Sequence, residues 1–83
     1  MTASGAPIRP VQLQVNTAGA WKTVLHFNAS DDMAAAQVQE AVEVLYQVDQ
    51  RTRWRITTCD RVPLVLRHLG SHTYGVWISR SEA

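Results

Sequence analysis

Apolar and polar residues alternate strictly over Val11-Gln12-Leu13-Gln14-Val15-Asn16. A period of two puts the three apolar side chains on one side of an extended strand and the amides on the other. Thr17-Ala18-Gly19-Ala20 follows, with Asn16 and Gly19 supplying turn chemistry. A second alternating run occupies Trp21 to Asn28, where Trp21, Thr23, Leu25 and Phe27 share one face and Lys22, Val24, His26 and Asn28 the other. Two such runs joined by a short glycine-containing loop predict a β-hairpin.

The period changes after Ser30, whose hydroxyl suits a helix N-cap, with Asp31 and Asp32 meeting the positive end of the helix dipole. Ala34, Val38, Ala41, Val42, Leu45 and Val48 then recur at helical spacing, with Gln39, Glu40, Glu43, Gln47 and Gln50 opposite. No glycine or proline interrupts residues 31–50, so the pattern predicts one amphipathic helix roughly 30 Å long. Alanines at 34, 35, 36 and 41 would let it approach its support closely, and Arg51 and Arg53 suit its negative end. Alternation resumes in a third strand, with Trp54, Ile56 and Thr58 inward and Arg53, Arg55 and Thr57 outward.

Residues 61–69 admit two readings. As a helix, Asp60 caps, Pro63 lies in the first turn, Val62, Val65, Leu66 and Leu69 line one face, and Gly70 closes. As a strand the segment alternates poorly, which favours the short helix. Tyr74-Gly75-Val76-Trp77-Ile78-Ser79 reads as the last strand. The expected fold class is α+β, in the order β-β-α-β-(α)-β, with one long helix on one face of a four-stranded sheet. Its expected divisions are a flexible lead-in over 1–10, a single domain over 11–79 and a frayed end over 80–83. One helix covers one side of such a sheet, so the other side must meet water, the short second element or a partner.

Composition narrows the class without naming a function. The chain has 83 residues, 46% of them hydrophobic and 18% charged, with a net charge of +1, which suits one globular domain. Its single cysteine, Cys59, excludes an intramolecular disulfide framework. No basic start precedes an apolar core of signal-peptide length, and no apolar run approaches the ~20 residues of a membrane span. The expectation is a reducing, cytosolic compartment and no membrane.

Charge is unevenly spread. Residues 1–50 set two cations against five carboxylates, whereas residues 51–83 set six arginines against two. Arg51, Arg53 and Arg55 around Trp54, with Arg61 and Arg67 beyond, offer the cations and the ring that single-stranded nucleic acid requires. On a strand, however, Trp54 points away from Arg53 and Arg55. That favours a polar sheet face, paired with the acidic helix of the same or another copy.

Cys59, Asp60, His68 and His72 carry zinc-ligand chemistry, but Gly70 separates the histidines, and no paired-cysteine or HExxH spacing is present. No metal is expected, and Cys59 reads as a small buried hydrophobe. No triad spacing, carboxylate pair or phosphate-cradling glycine loop stands out, so neither catalysis nor a cofactor is expected. Trp21, Trp54 and Trp77 each fall on a predicted strand, where a ring turned toward the helix is core and a ring turned outward is an interface anchor. Trp77 is the leading anchor: Val76 and Ile78 flank it, Tyr74 precedes it, and a terminal strand apolar on both sides calls for cover. The leading expectation is a non-enzymatic interaction module, binding another protein or itself through the open sheet face or last strand. The alternative is nucleic-acid binding through the arginine-rich second half.

Overall fold

The computed structural model describes residues 8–79. In chain order it contains β1 (Pro10–Asn16), β2 (Trp21–Asn28), α1 (Asp32–Val48), β3 (Arg53–Thr58), β4 (Val65–Leu69), a one-turn 3-10 helix (Ser71–Thr73) and β5 (Ile78–Ser79). The strands form one antiparallel sheet in the order β2-β1-β3-β4-β5, with α1 packed on one side. The α+β class with one long helix therefore holds, and the sheet has five strands where four were expected. Most of the expected lead-in over 1–10 and all of the fraying over 80–83 lie outside the described residues, while Pro10 already belongs to β1.

The fifth strand arises because residues 65–69 are extended rather than helical. Ile56 pairs with Arg67 and Thr57 with Val65, which leaves Leu66 as an extra residue on β4. Such a bulge turns two successive residues toward one side of a sheet and destroys the period of two. The poor alternation that argues for a helix is this bulge. The last strand is correspondingly shorter than expected: residues 71–73 form the 3-10 turn, and only Ile78 and Ser79 pair, with His68 and Arg67.

A second bulge reshapes the hairpin. Leu13 pairs with Leu25 and Gln14 with Thr23, so Val24 is the extra residue of β2. Leu25 and Phe27 stay aligned with Leu13 and Val11 on the helix side, whereas Trp21 and Thr23 are carried to the side of Asn16 and Gln14. The single face expected for Trp21, Thr23, Leu25 and Phe27 is thus split in two. Gly19, at φ +91°, closes the hairpin with its N–H donated to Asn16 Oδ1 at 2.9 Å.

Helix α1 is capped by Asp31 rather than Ser30: Asp31 Oδ1 accepts the Ala34 N–H at 3.1 Å. Its last turn carries no cation, and Arg51 instead pairs with Asp49 at 3.0 Å. The core joins Val42 and Tyr46 of α1 to Val11, Leu13, Trp54, Ile56 and Leu69 of the sheet. At 100° per residue, this buried strip is rotated by roughly 80° from the centre of the stripe that spacing predicts. Leu45 and Val48, expected in the core, are 50% and 82% exposed. Alanines 35 and 36 line an open cleft of about 490 Å³ between α1 and the β3–β4 end of the sheet, so here small side chains leave space instead of closing it.

The segment after β4 is tied down locally. Gly70 N–H donates to Thr73 Oγ1 at 3.1 Å, and the same hydroxyl donates to Gly70 O at 3.0 Å. The chain then turns through Tyr74 (φ 57°) and Gly75 (φ 75°), the latter passing against the Tyr46 ring. No helix among the described residues is long and apolar enough to cross a membrane.

Candidate binding faces

Antiparallel pairing places Gln12, Gln14, Asn16, Trp21, Thr23, Arg53, Arg55 and His68 on the side of the sheet that α1 does not cover. The two bulges build the middle of this face. The Val24 bulge delivers Trp21 to it, and Arg55 reaches across β1 to lay its guanidinium 4.1 Å from the Trp21 ring centroid. Arg55 Nε donates to Gln14 Oε1 at 2.7 Å, and the Gln14 amide in turn donates to Thr23 Oγ1 at 3.3 Å. Trp21 and Arg55 are both half-buried, so the stack is held rather than free in solvent. Burial pulls the Arg55 guanidinium below its ordinary pKa, yet an arginine so placed stays charged at any physiological pH.

Beside this stack lies a shallow cleft of about 200 Å³ lined by Trp21, Arg53, Arg55, Val65, His68 and His72, with part of Trp54. The 3-10 turn folds His72 back over the sheet, so that its ring runs parallel to His68 with centroids 5.2 Å apart. His68 Nδ1 and His72 Nε2 approach to 3.1 Å, a hydrogen bond in which one of the two nitrogens carries the proton. Gly70 therefore does not keep the histidines apart as a helical reading implies. Among the described residues, no group of three or more His, Cys, Asp or Glu side chains gathers at a metal-binding spacing. Cys59 is exposed in the β3–β4 connection and is not the buried hydrophobe expected of it.

The charge pattern of the two layers is sharper than the sequence halves imply. The five strands carry no carboxylate; they hold Lys22, Arg53, Arg55 and Arg67, with His26 and His68. Helix α1 carries Asp32, Glu40 and Glu43 and no cation. Of the arginines expected to act together, Arg53 and Arg55 reach the cleft. Arg51 is engaged with Asp49, Arg61 is exposed in the loop before β4, and Arg67 turns to the helix side, donating to Gln39 Oε1 at 3.2 Å. Trp54 is buried in the core, its indole N–H donated to Thr52 Oγ1 at 2.9 Å. The ring that joins the cations is instead Trp21. Its cue was the adjacent apolar pair Val24-Leu25 within an otherwise alternating run, the signature of an extra residue.

The residues of the expected last-strand anchor separate. Trp77 packs against the core and donates its indole N–H to Gln39 O at 3.0 Å. Ile78 is half-buried beside His68, while Val76 and Tyr74 are exposed, Tyr74 by 92%. On the helix side, a second surface feature runs between α1 and β2. It is an apolar groove of about 300 Å³ lined chiefly by Val24, Leu25, Ala34, Val38, Ala41 and Leu45. Compared with family models, curated proteins and solved structures, this chain has no match.

Proposed function

We propose that the protein is a non-catalytic cytosolic module that binds single-stranded nucleic acid on its uncovered sheet face. The observation that carries this reading is the Arg55–Trp21 stack within a sheet free of carboxylates. A nucleic acid strand needs cations for its phosphates and flat surfaces for its bases. The outer plane of the guanidinium and the rim of the indole are such surfaces, and both sit beside Arg53 in a concave site. The Gln12 amide and the Thr23 hydroxyl offer donors and acceptors along the same face, with the Gln14 amide buried beneath the stack. Their mutual hydrogen bonds hold them in place before any ligand arrives. The reading through the last strand draws less support, because Trp77 is committed to the helix.

The test is a fluorescence titration of a short oligothymidylate against the protein at several salt concentrations, with an acidic peptide of equal charge as comparison. Two arginine–phosphate contacts predict a log–log salt slope of about −1.4 for a single strand. Trp21→Leu should weaken binding by roughly 5- to 150-fold, the range set by loss of stacking on one base. Arg55→Gln should both weaken binding and flatten the salt slope. Absence of oligonucleotide binding at low salt, or binding indifferent to both substitutions, overturns the proposal. Equal affinity for the acidic peptide would assign the face to a protein partner instead.

A further inference from the structure

We infer that phosphate binding in the cleft is coupled to a proton: the His68–His72 pair takes up one, and only one, when a nucleic acid phosphate settles beside Arg53 and Arg55. The inference rests on the nucleic-acid reading of the uncovered face, and it adds to that reading two binding residues and a dependence on pH.

The geometry of the pair sets the limit of one proton. The rings are parallel to within 1° with centroids 5.2 Å apart, yet His68 Nδ1 and His72 Nε2 stand 3.1 Å from each other. The contact is therefore made at the ring edges rather than face over face, in the direction along which a ring nitrogen carries its proton or its lone pair. With both imidazoles neutral, one of these nitrogens donates and the other accepts. An added proton goes to whichever outer nitrogen was bare, His68 Nε2 or His72 Nδ1. The bond between the rings then becomes charge-assisted and stronger, and the pair carries one positive charge. A second added proton would set two N–H groups against each other across 3.1 Å and break the contact.

The surroundings call for an anion as counter-charge. Arg55 stands opposite His68 on β3, and Arg53 lines the cleft from the same strand. On the other side of His68, β5 places the apolar Ile78, and the 3-10 turn adds only Ser71 and Thr73 beside His72. No carboxylate is among the residues that line the cleft. His26, on β2, is separated from the pair by β1 and β3. A phosphate seated on the two guanidiniums thus attracts a positive charge to the histidines, and by linkage the charged pair attracts the phosphate equally. An imidazole changes charge between about pH 5 and 8, whereas a phosphodiester stays ionised throughout that range. Affinity therefore rises as pH falls.

Gly70 makes the pairing possible. Its φ of −177° is ordinary extended backbone, but a Cβ there would stand 3.0 Å from His72 Cε1 and Nδ1. The His72 ring reaches His68 by folding over a residue that has no side chain. Gly70→Ala should push that ring aside and uncouple the pair while both imidazoles remain in the chain.

The experiment is the oligothymidylate titration repeated from pH 8 to pH 5.5 at fixed salt. Affinity should rise by about 5- to 20-fold, between the worth of an exposed ion pair and that of a charge-assisted hydrogen bond. The plot of log affinity against pH should nowhere be steeper than one proton per complex. The salt slope should steepen from about −1.4 to about −2.1 as a third cation joins the two arginines. Replacing both His68→Gln and His72→Gln should remove the rise, and Gly70→Ala should cut it by more than half. His26→Gln should keep all of it. Affinity indifferent to pH, while the oligonucleotide still binds, overturns this inference and leaves the proposed function standing. So does a slope approaching two protons, or a full rise in Gly70→Ala. Absence of binding at every pH overturns the proposed function and this inference with it.

Discussion

Replacing Gly75 by alanine isolates one contact between the C-terminal segment and the helix. Gly75 has φ +75°, a left-handed conformation that costs an L-residue about 1–2 kcal/mol. A Cβ built there would stand 2.9 Å from Tyr46 Cε2 and 3.1 Å from Cδ2. That ring is only 5% exposed, so relieving the overlap means moving a core side chain, a further cost of about 1–3 kcal/mol. Gly19 is the matched control: its φ is +91°, and a Cβ there meets nothing within 4 Å. Gly75→Ala should therefore cost about 3 kcal/mol and Gly19→Ala about 1–2 kcal/mol. A chain this size has roughly 4–12 kcal/mol in all. Urea unfolding followed by tryptophan fluorescence would read both values, and the larger one implies a Tm fall of about 12–24 °C. A double-mutant cycle with Tyr46→Leu should show that most of the excess at Gly75 depends on the ring. If both alanines cost the same to within about 0.5 kcal/mol, the ring contact contributes nothing and the reasoning fails.

Three further outcomes follow from single contacts. Thr52→Val strands the buried indole N–H of Trp54 and should lower stability by about 1–3 kcal/mol in thermal unfolding, whereas Thr52→Ser should restore most of it. Asp49 is held below the ordinary carboxylate pKa, first by the hydrogen bonds from the Arg51 side chain and backbone. Its small contribution to stability is thus present at neutral pH and is lost as pH falls through that lowered value. An NMR titration of Arg51→Gln should show the Asp49 transition moving up toward the usual range. Deleting Val24 should regularise β2 and leave Trp21 on the uncovered face, because Thr23 and Trp21 keep Gln14 and Asn16 as partners while Leu25 stays opposite Leu13. Oligonucleotide binding should then persist, and a fall as large as in Trp21→Leu would show that the bulge itself, and not the strand parity it sets, positions the ring.

The elements with an unbroken period were legible from the residues alone. Strands β1 and β3 alternate cleanly, and α1 has neither glycine nor proline, so their limits were recoverable to within two residues. What escaped was everything that depends on one extra residue. Val24 and Leu66 each reset the parity of a strand, and parity decides which side of the sheet a side chain faces. Trp21 thereby changes side and β4 loses its alternation, although both bulges leave an adjacent apolar pair in the sequence. The rotation of α1 was hidden for another reason. Spacing defines an apolar arc, but only the sheet decides which part of a wide arc is buried, and here Tyr46 claimed the centre. The meeting of His68 with His72 depended on a 3-10 turn that no periodicity announces.

With acid on the helix and Arg53 and Arg55 on the uncovered face, a nearly neutral molecule acquires an electrical polarity. A polyanion drifting toward the helical back is repelled, and the same field swings the protein round until its strands lead. Near its isoelectric point such a protein should still be retained by a cation-exchange resin, docked strands-down. Its tumbling near any negatively charged polymer would be biased before a single hydrogen bond is made.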